Sequence, residues 1–449
     1  MKMKFISVAI LAAIAGAAQA QNGSAEQLQL ALAQAQKAAA DAQKAAEQAT
    51  KALADIQRAS VEAQQHAAAE SAPKAPVAPL PGFDSDKPLP QGLVLGNSND
   101  FVRLYGLIDL SVSDHNNADK SGARLTDMSV AWFSGNRWGL EGAHALKDTD
   151  GMKVIFRLES EYELPTGNMD TPGVLFNRDA WMGLESKSLG KLTFGRQNTL
   201  AREFSKIYGD PYGSSAMNLN EGGYTNNNNF KQLIFYSGSA TGTRYDKGVV
   251  WKKEYDKFVV GLGYQFGGIP GDFTEGSTKS VGLAYNGGVA NVSAFYNTAN
   301  VAGLTNSTYS IGGNYKIDIV RLNAGYFHYK ADQATAIGAR KDNAYTLSAK
   351  VTPKGIFDYE VGYQVMDANN AAVNGGGYVL NAYANATNAT ATASGKRKTL
   401  YGSIFYHFDK RTELYIAADR LLTDGTYLAA QANGFRSQTG AAAGMRFRF

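Results

Sequence analysis

The 449-residue chain contains no cysteine and only five histidines. No disulfide can form, thiol chemistry is excluded, and most zinc designs lose their usual ligands. His66, His115, His144, His328 and His407 are scattered, and neither a G-x-S-x-G nor an H-E-x-x-H motif occurs. These absences point away from an enzyme, and no cofactor or metal is expected. Proline is scarce too: 11 in all, six of them crowded between Pro73 and Pro90. Long apolar runs are missing after the first twenty residues, where nothing approaches the roughly twenty apolar positions of a spanning helix. Charge of one sign is also in short supply. The formal net charge of +4 is too small to argue for a nucleic-acid partner.

What is abundant is glycine (48), tyrosine (24) and phenylalanine (21). Lys2 and Lys4, the apolar run Phe5 to Ala17 and the small-residue site Ala18-Gln19-Ala20 predict a signal peptide over 1–20. Residues 21–70 are rich in Ala and Gln. A heptad started at Leu28 places Leu28, Ala35, Ala42, Ala49, Ile56 and Ala63 at one seam position. Ala31, Ala38, Ala45, Ala52 and Ala59 fill the other, which predicts a left-handed coiled coil in the periplasm. Alanine favours the helix but buries little area, so each layer is weak. Residues 71–100 form a linker whose proline run is extended at ~3.1 Å per residue.

From Phe101 to Phe449 the text is strand and turn. Phe258, Val260, Leu262, Tyr264 and Phe266 share one face; Val259, Gly261, Gly263 and Gln265 share the other. The last segment alternates likewise, with Phe449, Phe447, Met445, Ala443 and Ala441 against Arg448, Arg446, Gly444, Ala442 and Gly440. A strand flips its side chains every residue, so one face is oily and one polar. Such a beat fits a closed barrel with lipid outside and water inside. The fold class is all-β: a 16-stranded antiparallel transmembrane β-barrel behind an α-helical coiled-coil extension. Strands are predicted to start near residues 101, 132, 152, 176, 191, 247, 257, 278, 289, 308, 319, 343, 356, 398, 411 and 436. Phe230 to Ser237 also reads as strand and leaves eighteen open. Short turns at Asn286-Gly287-Gly288, Thr352-Pro353-Lys354-Gly355 and Phe408-Asp409-Lys410 mark the periplasmic rim. Long polar stretches such as Asp367 to Gly395 mark the outer rim.

Phase decides which charges face water. Arg103, Arg137, Lys153 and Arg157 all oppose apolar neighbours and point inward. Glu141, Glu159 and Glu161 share those faces, and Asp109, Asp358, Glu360, Glu413 and Asp419 also read as inward, so a simple inward charge count is nearly balanced. Arg196 is in phase with Leu192 and Phe194, which puts a charge on the outer face, where lipid contact would cost several kcal/mol.

Leu104-Tyr105-Gly106-Leu107-Ile108-Asp109 resembles the opening strand of trimeric general porins. Asn136-Arg137-Trp138-Gly139-Leu140-Glu141-Gly142 is similar to their second strand. Phe156-Arg157-Leu158-Glu159, Phe176 to Leu184 and Leu192-Thr193-Phe194-Gly195-Arg196-Gln197 follow in order. The match covers the first hundred barrel residues well and the rest by pattern. A signal, an Ala/Gln coil, a proline linker and a porin barrel together resemble the DcaP-type porins. That resemblance implies a homotrimer and passage of small dicarboxylic acids. It implies that the loop after the fifth strand, here Glu203 to Asn229 with Tyr208, Tyr212 and Tyr224, folds inward as the constriction. It also implies that Arg178 is the inward arginine of the fourth strand. Lys231 would join the basic wall from beyond the loop. Arg196 would lie at the trimer interface, gripped by a neighbour's loop 163–174 with Glu163 and Asp170. Rings of Arg and Lys favour anions, and Arg presents a fork that fits carboxylate. The expected partners are small anionic solutes, outer-membrane lipid and lipopolysaccharide, and peptidoglycan through the coil. The alternative is a cell-wall tether with the barrel mainly an anchor and a non-selective pore.

Overall fold

The computed structural model describes residues 93–97, 99–129, 131–149, 151–209, 214–219, 237–334, 336–353, 356–380 and 386–449. The expected signal peptide, the coil and most of the linker lie outside the described residues, as do Tyr212, Tyr224, Lys231 and the segment 230–236.

The first eight elements are β1 (Leu93–Gly96), β2 (Phe101–His115), β3 (Leu125–Ser129), β4 (Asn136–Ala145), β5 (Lys153–Tyr162), β6 (Asp179–Ser186), β7 (Gly190–Asn198) and the short helix α1 (Leu200–Ser205). There follow β8 (Arg244–Tyr255), β9 (Phe258–Gln265), β10 (Thr278–Asn286), β11 (Ala290–Val301), β12 (Leu304–Ile317) and β13 (Val320–Ala331). The chain closes with β14 (Arg340–Val351), β15 (Phe357–Ala372), β16 (Thr392–His407), β17 (Thr412–Thr423) and β18 (Ser437–Arg448). All eighteen strands belong to one sheet. Without the short β1 and β3, sixteen antiparallel strands close a ring, because β18 pairs back onto β2 from Arg448↔Leu107 to Gly440↔His115. A closed ring has no free edge, so each of these sixteen strands is paired on both sides, as lipid requires.

The outer face carries Leu262, Val281, Leu283, Ile311, Leu322, Leu347, Val361, Ile416 and Met445, all exposed. The opposite phase carries buried polar groups such as Gln265, Ser293, Asn314, Asn323 and Gln364. Exposed apolar side chains in this number would be a liability in water and are the natural surface toward acyl chains.

Four differences from the sequence expectation have physical causes. The end of the linker span forms β1, where Leu93 and Leu95 alternate beyond the last proline and pair with Leu104 and Val102. The second barrel strand begins at Asn136, not near 132. Trp132 and Phe133 turn inward and pack on Phe405, Tyr415, Ala417 and Ala442, because two adjacent large aromatics bury more area there than one alternating strand face allows. On the long-loop rim, β11 and β12 are joined by Ala302 and Gly303 alone, both at positive φ. Glu275 accepts both of their backbone N–H groups, at 2.6 and 2.8 Å. The loop expected from Asp367 to Gly395 is shorter, since β15 and β16 stay paired to Ala372↔Thr392 with a bulge between Ala368 and Ala371.

Candidate channel constriction

Register, which a one-residue slip would invert, builds the charged wall. One row across the inner face runs Arg103 (β2), Glu141 (β4), Arg157 (β5), Trp181 (β6). The next runs Tyr105, Gly139, Glu159, Asp179. The third holds Leu107, Arg137 and Glu161. Opposite charges therefore fall side by side. Glu141 accepts hydrogen bonds from Arg103 and, at 2.6 Å, from Arg157 Nη2. Arg178, buried just before β6, donates to Glu159 and Glu161. Asp179 lies between Arg157 (3.7 Å) and Arg244 (3.5 Å). Tyr105 reaches over Gly139 to donate to Glu159 at 2.9 Å; a Cβ at Gly139 would sit 2.7 Å from the Tyr105 hydroxyl oxygen. Arg157 and Lys191 flank the Trp181 ring, with Lys191 Nζ 4.5 Å from its centroid.

Charge-assisted pairs of this kind are the strong hydrogen bonds. Arg103 Nε and Arg244 Nη2 are nevertheless buried without an acceptor among the described residues. The wall holds donor capacity beyond its own carboxylates.

The segment after β7 folds into the barrel. Thr199 caps α1 by accepting from the Arg202 backbone N–H at 3.3 Å, and every residue of α1 is buried. The segment then follows the inner wall of the later strands. Asn314 donates to the carbonyls of Ile207 (2.7 Å) and Ser215 (2.8 Å). Gln364 donates to that of Gly209 (3.1 Å), and Asn286 brackets Met217 through both amide groups. Tyr208 shares a 2.6 Å hydrogen bond with the Ser310 hydroxyl, and its ring lies in a slot made by Gly312 and Gly325. A Cβ at either glycine would come within 2.4 Å of that ring. Tyr208 thus anchors the inward segment to the wall; it was expected to form part of the constriction loop. Arg202 of α1 stands beside Arg244, Arg178 and Arg137; burial first, and then these like charges, push its pKa well below the usual arginine range.

The expected inward residues Arg103, Arg137, Arg157 and Arg178 come together on this wall. Lys153 lies on the same face two rows nearer the turns, paired across the ladder with Glu185. A cavity of about 690 Å³ opens there, bordered by Phe101, Glu141, Lys153, Arg157, Trp181 and Lys191. The other inward carboxylates have partners of their own. Asp358 meets Lys350 at 2.9 Å, and Glu413 meets His407 at 3.0 Å as well as Arg446. Arg196 lies on the outer face, where it pairs with Asp246 of the same chain and donates to the Asn177 carbonyl at 2.7 Å. Asp170 accepts from Asn177 at 3.0 Å. Tyr105, Trp181, Asp179, Lys191, Arg202 and Arg244 had not been singled out. Phase alone could have found Tyr105, Trp181 and Lys191; nothing in the text before Arg202 marks it.

A sixteen-stranded ring with an apolar exterior, polar interior and inward-folded segment defines a transmembrane β-barrel with an internal passage. The profile of the Gram-negative porin family matches residues 65–426, and the chain belongs to that family of outer-membrane β-barrels. An outer membrane porin protein of Bordetella pertussis is 31% identical over 260 residues. That match spans 50% of this chain and 63% of the relative's length. Among solved structures, an anion-selective porin from Comamonas acidovorans superposes with a TM-score of 0.61 at 21% identity, covering 78% of this chain and all of that one. The outer membrane channel DcaP of Acinetobacter baumannii gives 0.51 at 14% identity, covering 80% of this chain and all of its own.

Proposed function

We propose that the chain is a DcaP-type porin that lets small anionic solutes, dicarboxylic acids among them, diffuse passively between its basic wall and its inward loop. The supporting observation is an imbalance of charge. Arg103, Arg137, Arg157, Arg178, Arg202 and Arg244 gather on one side against Glu141, Glu159, Glu161 and Asp179. Six guanidiniums against four carboxylates leave a net positive field, which low-dielectric walls focus into the gap. Pairing also fixes the arginines in place, so a carboxylate meets preorganised forks. None is gripped alone and strongly, and a solute that binds weakly at several donors can still leave. The anion selectivity in the name of the Comamonas barrel accords with this reading. A homotrimer, with Arg196 and Asp170 near the subunit contact, and a periplasmic coil over residues 21–70 complete the proposal.

Single-channel recording of the purified protein in planar bilayers tests it. Three equal conductance steps and an anion-leaning reversal potential in a salt gradient are expected. Cation-leaning permeation would remove the dicarboxylate assignment, and an electrically silent protein would remove the pore.

A further inference from the structure

We infer that His407 is a selectivity-determining residue of the passage: by taking up a proton between two carboxylates it makes the turn-side part of the lumen more attractive to anions in acid. The inference rests on the reading of the barrel as a pore, and it concerns a group beyond the arginine wall. His407 is the last residue of β16 and shares the inward phase of Ser403 and Phe405. The Phe405 ring stacks on the imidazole with centroids 6.4 Å apart. Register sets a carboxylate on each side. Glu413 of β17 is the direct cross-strand partner of His407, and Asp358 of β15 lies opposite Phe405, one inward step away. The ring meets both: Nε2 is 3.1 Å from Asp358 Oδ2, and Nδ1 is 3.0 Å from Glu413 Oε2.

A neutral imidazole has one N–H and one bare lone pair. In either tautomer, one nitrogen would turn that lone pair on a carboxylate oxygen at hydrogen-bond distance. Only the imidazolium donates to both, so the arrangement is complete with the proton and broken without it. The neighbouring charges are fixed by contacts of their own. Lys350 of β14 meets Asp358 at 2.9 Å and Glu360 at 3.4 Å. Arg446 of β18 pairs with Glu413, and Arg448 reaches it at 3.2 Å. Arg411 precedes Glu413 by two residues in the same phase, and Tyr415 follows by two and donates to Asp109. Lysine and arginine ordinarily keep their charge between pH 5 and 8, where an imidazole changes its own. The other described histidines have different settings. His144 and His328 take the outward phase, with one carboxylate (Asp100, 2.6 Å) and one amide (Asn343, 2.9 Å) respectively. His115 faces inward at the far end of β2, against the Trp132 ring. The His407 side chain is 31% exposed, so a passing ion feels its charge directly. Its row continues through Glu413, Arg446 and Asp109 across the closing seam. The next row toward the turns sets Arg448 beside Leu107 and Leu107 beside Arg137. The ladder thus joins this cluster to the basic wall, and a charge added here extends the field of that wall.

Reversal potentials of the full-length protein in a planar bilayer, in a fixed potassium chloride gradient around 0.1 M with both baths at pH 8 and then at pH 5, test the role. On acidification the wild-type anion-to-cation permeability ratio should rise about twofold more than that of His407→Gln, the effect of one unit charge about 8 Å from the ion path. The response left in the variant belongs to carboxylates and His115. His407→Lys keeps a fixed charge between Asp358 and Glu413. It should lean further toward anions than His407→Gln at pH 8, and its response to acid should match that variant. A ratio that climbs equally in wild type and both variants, or that does not climb in wild type, would overturn the role of His407. Cation-leaning currents that still show the twofold difference would remove the anion assignment and leave His407 standing.

Discussion

Replacing Glu141 by Gln removes one negative charge from the middle of the basic wall and keeps the shape of the side chain. Glu141 is the shared acceptor of Arg103 and Arg157, and all three side chains are only partly covered. One carbonyl oxygen remains to accept from one guanidinium, and the other guanidinium is released toward the gap. For an ion passing about 8 Å away in water, one unit charge is worth about 0.5 kcal/mol. Salt at 0.1 M, with a screening length of about 10 Å, cuts this by roughly half. The anion then gains about 1.5-fold and the cation loses about 1.5-fold, so the permeability ratio rises about twofold. At tenfold lower salt the screening length grows to about 30 Å, and the change in the ratio should rise to about fourfold. The assay is the reversal potential across a planar bilayer in a tenfold potassium chloride gradient, at two mean salt concentrations. An unchanged potential, or a shift toward cations, would refute the claim that this wall sets selectivity. A shift of equal size at both concentrations would show that its origin is not electrostatic.

Gly325→Ala forces a methyl group against the Tyr208 ring and should dislodge the inward segment, raising single-channel conductance and current noise; identical conductance would show that Tyr208 does not hold the loop. If the proposed homotrimer forms, Arg196→Ala should lower its dissociation temperature in a heat-shift gel, and an unchanged midpoint would count against the proposed interface role. Deleting Ser24 to Glu70 should leave conductance intact while envelope attachment fails if the coil is a tether. Acidification should loosen the turn at Asp409, whose carboxylate accepts the N–H groups of Arg411 and Thr412 at 2.7 Å each. Those bonds depress its pKa, so their contribution is complete above the ordinary carboxylate range and is lost as pH falls through the lower folded value. A lower protection factor at Arg411 and Thr412 in acid, after division by the intrinsic exchange rate at each pH, would report it, and a constant protection factor would contradict it.

Most of the barrel was legible because lipid leaves so little choice. All sixteen ring strands lie within a few residues of the positions that alternation predicts, and the inward phase of Arg103, Arg137, Lys153 and Arg157 follows from the same beat. Period two states which face a side chain takes, but not which residue stands beside it. The Glu141 contact with Arg157 crosses a short turn and was within reach; its contact with Arg103 depends on how β2 and β4 slide past each other across a long connection. The carboxylates that share these faces were foreseen as neutralising the arginines, and they do pair with them. Arg202 was invisible, since a loop has no phase and its position depends on the wall it leans against. Trp132 and Phe133 misled for a related reason: strand propensity describes a half-buried surface, and their surroundings are wholly enclosed.

Asp109 joins neighbours from distant parts of the chain. It accepts from Tyr415, 306 positions later, and from the Ser134 backbone N–H, beside the line where β2 meets β18. A join of that span can be made only after nearly every intervening hairpin exists, and chain-closure entropy makes it the slowest contact to find. Until then the growing sheet carries two raw margins of unsatisfied amides, each able to capture a stray strand. Folding of this chain therefore passes through a stage at which those margins lie open, and weakening the Asp109 clasp would act on the step that shuts the cylinder.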